Sequence, residues 1–420
     1  MKGSLIKQNR KLRNMTLEEL AKGICSISYL SKIENNAINA SDEIYRLLGE
    51  RLGIKLTDID HDFDESIHQD LMDWHETIHL RDFPLADELK KKCQKALEKN
   101  KNIELENLYK VILTRHIMSS GRTSMPESNL NELNSIVTGG SKEFQFFYNK
   151  TVGLHYLVSS KLVNALHCFL KAEQLMEKLP YKDPEVYFHL ALTYAQTRSF
   201  VESNFYAQKA LEVYKSSLHY SKMIDNHLII AINYNSLEAY TIAEDCLLDI
   251  LKMAKYHLPV TEKRRVYHNL GKNYIHQERY EEAAIYLQKA YEIDTEETAF
   301  SSSTIYLLAL THYYNNDMEE CWSYIEKGEK EALRHNFLKY KHKFYILKTM
   351  IDKNTHDEEF IIKLEKEIIP DFLKLNEYKD YKYFVEMLGN IYYEKRMYKK
   401  AATQFKEANN YKITQKKDLL

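Results

Sequence analysis

An all-α chain is the fold class this sequence predicts, on three observations. Of 420 residues only 11 are Gly and 6 are Pro, so helix breakers are scarce. Apolar and small residues recur at helical spacing from about residue 66 onward, in a pattern that itself repeats every 38 to 41 residues. The first 53 residues carry a separate set of helix start and stop signals. These observations divide the chain into a small helical domain over 1–60, a linker with atypical helical entry repeats over 61–140, and a stack of helix pairs over 141–420.

Leu5 to Asn14 reads as a first helix with a basic face able to reach phosphates. Thr16 is an N-cap with Glu19 three residues on as its capping-box partner, and Leu17, Leu20 and Ala21 give that second helix one apolar face. After the break at Gly23, Ser26 caps a third helix in which Ile27, Leu30 and Ile33 recur every three residues, leaving Ser28, Tyr29, Ser31 and Lys32 more outward. Two short helices joined by a tight turn, the second polar on its free face, form a helix-turn-helix. Ser41 to Leu52 repeats Ile44, Leu47 and Leu48 to close the core, and Gly53 ends it.

Net charge is −2, which excludes a general polyanion binder, yet Lys2, Lys7, Arg10, Lys11 and Arg13 occur with no acid among the first seventeen residues, and Lys22, Lys32, Arg46 and Arg51 follow. A basic head suits double-stranded DNA. Ile27, Ser28 and Lys32 are the expected base-edge contacts. Ser26, Tyr29, Ser31 and Asn35 are expected nearer sugar and phosphate, with Arg10 and Lys11 adding charge. No Arg or Gln stands at the base-facing places, so shape readout is expected to contribute.

Lys55 to Glu65, with Asp58, Asp60, Asp62 and Asp64, reads as a polar connector. An EF-hand loop starting at Asp60 would need Gly where Glu65 stands and Glu where Leu71 stands, so calcium is not expected. Further on, Arg264 to Thr295 places Tyr267, Leu270, Gly271, Tyr274, Ala283, Leu287 and Ala290 at the apolar and small positions of a tetratricopeptide repeat. Val385, Leu388, Gly389, Tyr392, Ala401, Phe405 and Ala408 match equally well. Small residues at the close-approach position recur at Gly153, Ala191, Ala231, Gly271, Ala309 and Gly389. Their partners on helix B of each pair are Ala165, Ser203, Ala243, Ala283, Cys321 and Ala401, and a degenerate unit has Lys348 and Phe360 there.

Such pairs stack into a right-handed superhelix with helix A lining the concave face. The displayed positions are His189, Gln196, Asn235, Arg265, His268, Asn269, Lys272, His276, Tyr306, Tyr313, Tyr314, Asn390 and Tyr393. Asn and Gln can both donate to and accept from a peptide backbone, while Arg and Lys can take a carboxylate, so an extended peptide is the expected ligand.

His75-Glu76-Thr77-Ile78-His79 matches HExxH, the two-imidazole zinc site of a metallopeptidase. A zincin also needs a third ligand and a strand beside the helix, and residues 80–140 have no strand-like alternation. His75 and His79 are instead expected on the surface of a helix burying Leu71, Trp74 and Ile78. With no Walker loop, dinucleotide fingerprint or nucleophile elbow, no catalytic function and no cofactor are expected. Five Cys without a CxxC pair, and no signal peptide, long apolar run or lipidation motif, point to a cytoplasmic protein with no membrane partner.

Leu12 to Glu34 resembles DNA-binding domains of the Xre/lambda-repressor type, and Gly23 to Asn35, Gly-Ile-Cys-Ser-Ile-Ser-Tyr-Leu-Ser-Lys-Ile-Glu-Asn, is similar to the PlcR/NprR-like branch of the RRNPP group of peptide-sensing bacterial regulators. The lengthened repeat is also similar to that group. One departure is Leu17, where Xre domains usually carry a Gln that contacts the DNA backbone. The resemblance implies a quorum-sensing transcriptional regulator: a homodimer reading an inverted-repeat operator, controlled by a short signalling peptide in the repeat groove. The alternative it implies is an adaptor of the Rap/NprR type, binding a phosphorelay response regulator.

Overall fold

A computed structural model describes residues 2–54, 63–100, 102–121, 123–137, 140–217, 219–253, 260–293, 298–375 and 377–410. Every regular element among them is helical. The connector positions Asp58, Asp60 and Asp62 lie outside the described residues; Asp64 serves as an N-cap, accepting from the Ser66 and Ile67 amides.

The head comprises α1 (Lys2–Leu12), α2 (Leu17–Ala21), α3 (Ile27–Glu34) and α4 (Asp42–Leu52). Its starts are chemically fixed. The Glu19 amide donates to Thr16 Oγ1 at 3.1 Å while the Thr16 amide donates to the Glu19 carboxylate at 2.6 Å, a complete capping box. The Tyr29 amide donates to Ser26 Oγ at 3.1 Å, and Gly53 closes α4 in the left-handed region at φ 59°. Ile6, Leu20, Ala21, Leu30, Ile33, Tyr45, Leu48 and Leu52 form one core. Two expectations change here. The helical period brings Tyr45, Leu48 and Leu52 inward, so Ile44 and Leu47 are only half-buried, and Ile27 leaves the apolar stripe with 48% of its surface exposed.

The chain divides into two compact units, Met1–Leu218 and His219–Leu420. In the first, α5 (Glu65–Leu80), α6 (Phe83–Lys99), α7 (Ile103–Gly121), α8 (Glu127–Val137), α9 (Lys142–Val158), α10 (Leu162–Met176), α11 (Pro184–Gln196) and α12 (Phe200–Ser216) follow the head. The second holds α13 (Tyr220–Ser236), α14 (Tyr240–Met253), α15 (Val260–His276), α16 (Tyr280–Glu292), α17 (Thr298–Tyr314), α18 (Met318–Arg334), α19 (Leu338–Ile351), α20 (Glu358–Lys363), α21 (Ile369–Lys374), α22 (Tyr378–Glu394) and α23 (Tyr398–Asn410). Among the described residues no helix is long and apolar enough to cross a membrane.

The repeat pairs share one turn. Ser160, Arg198, Glu238, Glu278, Asn316, Lys353 and Arg396, each just after a helix A, have φ between 57° and 62°. The residue after each donates its amide to a carbonyl five positions back, as Arg279 does to Tyr274 at 2.9 Å, satisfying a carbonyl the helix end leaves open. The close-approach residues are buried in every regular pair. At Gly271 a Cβ would stand 2.4 Å from Leu287 Cγ, so only glycine admits the α15–α16 crossing. The unit expected to be degenerate is irregular in the backbone as well: its second helix is split into α20, a π turn over Leu364–Ile368, and α21. Lys348 stands outside any tight crossing, its ammonium 3.2 Å from both Glu329 carboxylate oxygens.

Candidate functional site

On the head, α3 offers its N-terminal half to solvent. Ser26, Ile27, Ser28, Lys32 and Asn35 are exposed, while Tyr29 and Ser31 are half-buried. Lys22 and Lys32 are exposed with no ion pair among the described residues, so both charges are available to phosphate. Lys11 is exposed as well. Arg10 is a correction. Its Nε and Nη2 donate to the two Glu34 carboxylate oxygens at 2.7 and 2.8 Å, and Nη1 donates to the Met15 carbonyl at 2.8 Å. With Glu34 3% exposed and Arg10 11%, this bidentate pair ties α1 to α3 inside the head and leaves no charge for DNA. Leu17, where Xre domains usually carry Gln, packs half-buried against the head core.

The HExxH match resolves into a buried network within the first unit. His75 and His79 are 8% and 5% exposed, correcting the surface placement expected for them. The Lys150 ammonium lies 3.1 Å from His75 Nε2 and bonds Asp183 Oδ2 and, at 2.5 Å, Glu185 Oε2, occupying the point where His75, Asp183 and Glu185 converge. His79 Nδ1 lies 3.2 Å from Glu185 Oε1, which also accepts from Arg115 at 2.5 Å, and its Nε2 pairs with the Tyr214 hydroxyl at 3.3 Å. Both imidazoles are spent on protein partners, and the lysine cation stands where a metal charge would. Burial and then Lys150 push the His75 pKa well below the usual range, while Arg115 and Lys150 overcome burial to hold the Glu185 carboxyl well below its own.

The second unit contains the polar wall. Arg265 on α15 donates to Asp225 on α13 at 2.6 Å and to Glu262 at 2.7 Å. His268 Nδ1 pairs with Thr304 Oγ1 on α17 at 3.0 Å. Lys343 on α19 sits 5.2 Å from the Tyr306 ring centroid and 2.8 Å from Asp380 on α22. These contacts run from one helix A to the next, so α13, α15, α17, α19 and α22 form a continuous face. Lys272 on this face is exposed, and its pKa is pushed down to about 8, first by lost hydration and then by the charges of Lys379 and Lys343.

The other expected ligand residues are placed unequally. His276 is exposed, 5.4 Å from the Tyr240 ring in a parallel stack, and Tyr306 and Tyr313 are half-buried. Asn269 donates to the Arg265 carbonyl of its own helix, at 2.8 Å, and Asn235 accepts from Asn273 at 2.7 Å. Gln196 and Asn390 are exposed on α11 and α22. Two corrections concern histidines expected on the open face. His268 is 8% exposed, and His189 is 5% exposed against the Phe169 ring, because each points from helix A into the neighbouring pair. Burial pushes both pKa values down to about 3.

Comparison with known proteins fits this architecture. A helix-turn-helix family profile matches residues 6–59 and a tetratricopeptide-repeat profile matches 264–296. The chain is 25% identical over 397 residues to the transcriptional activator NprA of Geobacillus stearothermophilus, covering 92% of this chain and 97% of that one. It is 24% identical to the regulatory protein RapD of Bacillus subtilis (strain 168), covering 79% and 95%. Among solved structures, the apo form of the quorum sensor NprR from B. thuringiensis superposes with a TM-score of 0.72 at 20% identity, covering 83% of this chain and 99% of that one. In architecture and along most of its length this chain is similar to regulators of the RRNPP group. NprR in complex with its cognate peptide NprX has the same fold at a TM-score of 0.61 and 19% identity, with 83% and 99% covered.

Several residues of this wall escape the sequence reading. Lys339, Lys343, Lys379, Asp380 and Tyr383 fall in or beside the degenerate unit, where the small-residue template loses register. A signal did exist. Asp225, Arg265, Ser303, Tyr340 and Tyr383 each precede their own left-handed turn residue by 13 positions. Counting from that turn finds Tyr383 and misses the four charged residues, which stand at other distances from their turns.

Proposed function

We propose that this chain is a bacterial quorum-sensing transcriptional regulator of the RRNPP type, acting in the cytoplasm as a homodimer on an inverted-repeat operator. A short signalling peptide in the groove of the second unit controls its DNA binding. One observation carries the reading: a complete, capped helix-turn-helix with an exposed α3, and with Lys22 and Lys32 free of ion pairs among the described residues, shares a chain with a polar wall built from successive repeats. Such a protein binds and switches rather than catalyses, because a ligand with different affinity for two arrangements of the heads shifts their equilibrium. The relatives named transcriptional activator and quorum sensor support it.

The test is binding to DNA upstream of the chain's own and adjacent genes across a salt series. Specific binding with log K falling by about 0.9 per phosphate contact for each unit of log salt, and altered by peptide, is expected. Equal weak binding to all DNA, indifferent to peptide, would refute it. A second reading, an adaptor that captures a response regulator, draws on the Rap relatives, of which RapD matches along 95% of its length. It predicts that deleting the head leaves function intact.

A further inference from the structure

Most side chains of α3 are already engaged within the head. Leu30, Ile33 and Glu34 are buried, and Tyr29 packs half-buried on the head core. Ser26 Oγ caps the helix by accepting from the Tyr29 amide at 3.1 Å, and Asn35 Oδ1 at the far end accepts from the Lys7 ammonium of α1 at 2.8 Å. Ser31 is half-buried. Ile27, Ser28 and Lys32 remain: each is exposed, and no hydrogen bond or ion pair among the described residues occupies its side chain.

Their chemistry is one-sided. The Lys32 ammonium has three donors and no acceptor, the Ser28 hydroxyl turns either way, and Ile27 can do neither. With no carboxylate or amide among them, the exocyclic amino group of an adenine or cytosine finds only the Ser28 oxygen to donate to. Keto bases suit this surface. Guanine presents N7 and O6 as acceptors in the major groove, and thymine presents O4 beside a C5 methyl, the one apolar group on any unmodified base edge there.

Ile27 narrows the choice. It stands first in α3, at the end with which a recognition helix meets base edges, and is 48% exposed while Leu30 and Ile33 are fully buried. A polar base edge pressed against it would lose its water and gain no hydrogen bond. A thymine methyl in the same place buries apolar surface on both sides of the contact.

We propose that α3 reads a thymine in each half-site through its 5-methyl group, seated against Ile27, while Ser28 and Lys32 donate to the acceptors of neighbouring keto bases. This rests on the DNA-binding reading above and names the base that the head selects. Ile27 is thus a specificity-determining residue, unlike Lys22, whose charge draws the head to any duplex.

The experiment enriches duplexes from a randomised pool on the full chain, with and without a random heptapeptide pool, and then exchanges single thymines of the enriched sequence for deoxyuridine. Each exchange removes one methyl and leaves every hydrogen-bonding group in place. At one thymine per half-site the exchange is expected to weaken binding about 4-fold, the effect of one buried methyl. Ile27→Ala should bind the thymine and uracil duplexes equally, and Ile27→Val should keep the preference, with melting temperatures showing that both variants fold. The uracil scan on the unaltered chain decides the matter even if a variant does not fold. Uracil tolerated at every thymine, or a methyl preference that Ile27→Ala keeps in full, would overturn the inference and leave sequence-specific DNA binding standing. If no duplex is enriched under either condition, the regulator reading fails and this inference with it.

Discussion

Arg10 belongs to a cationic run at the start of the chain, and its partner Glu34 is 24 residues away. Which of five basic residues faces an acid is decided by how α1 lies on α3, and no local pattern encodes that. A buried ion pair adds little net stability, but removing one partner strands the other charge. Glu34→Ala is therefore expected to cost about 3–5 kcal/mol of head stability, read by urea unfolding of the full chain with a probe on the head. Glu34→Leu with Arg10→Met should restore most of it. If Arg10→Ala instead weakened DNA binding while the head kept its stability, Arg10 would be a phosphate contact and not an internal tie between α1 and α3. The same logic governs HExxH: the sequence spaces two histidines by four, and whether they meet a metal or a lysine depends on α9 and α11, which bring in Lys150, Asp183 and Glu185.

Helices here are limited as much by their ends as by their faces. The seven shared turns hold non-glycine residues in the left-handed region, which costs roughly 1 kcal/mol or more each for an L-residue. Glu278→Gly relieves that and should raise stability by about 0.5–1 kcal/mol, provided its side chain makes no compensating contact; a loss of stability would show that it does. Gly271→Ala should act in the opposite sense, by about 1–3 kcal/mol, because its Cβ meets Leu287 at 2.4 Å. The scarcity of glycine was legible as helix content and concealed the turns. The repeat period was legible because small residues at crossings are a packing requirement that every pair must meet. The π turn at Leu364–Ile368 lies just before Pro370, whose missing amide and ring break the regular hydrogen-bond ladder of the helix, a local signal that the small-residue template does not use.

Across both units, imidazoles buried without charge make acid a general destabiliser. His189 and His268 have folded pKa values near 3 and His75 is also depressed, so the unfolded chain binds more protons below about 6.5. Their contribution is complete above that pH and is lost as pH falls from about 6.5 toward 3. Urea midpoints should drop steadily through this window, and His189→Leu should flatten the slope, whereas the contribution of the ionised Glu185 starts to be lost only as pH falls into the ordinary carboxylate range and below it. A midpoint independent of pH between 7 and 4 would contradict the buried, neutral state of these rings. The sequence by itself determined the helical class, the capped helix-turn-helix and the repeat register, because caps, periodicity and close approach act between residues within about one repeat of each other. Only the tertiary structure decided which charges are spent and which stay free, that Arg10 and His79 are internal and Lys272 and Lys379 are not. Electrostatic partnership depends on distance in space, and helix packing brings together Arg10 and Glu34, 24 positions apart, and Arg115 and Glu185, 70 positions apart.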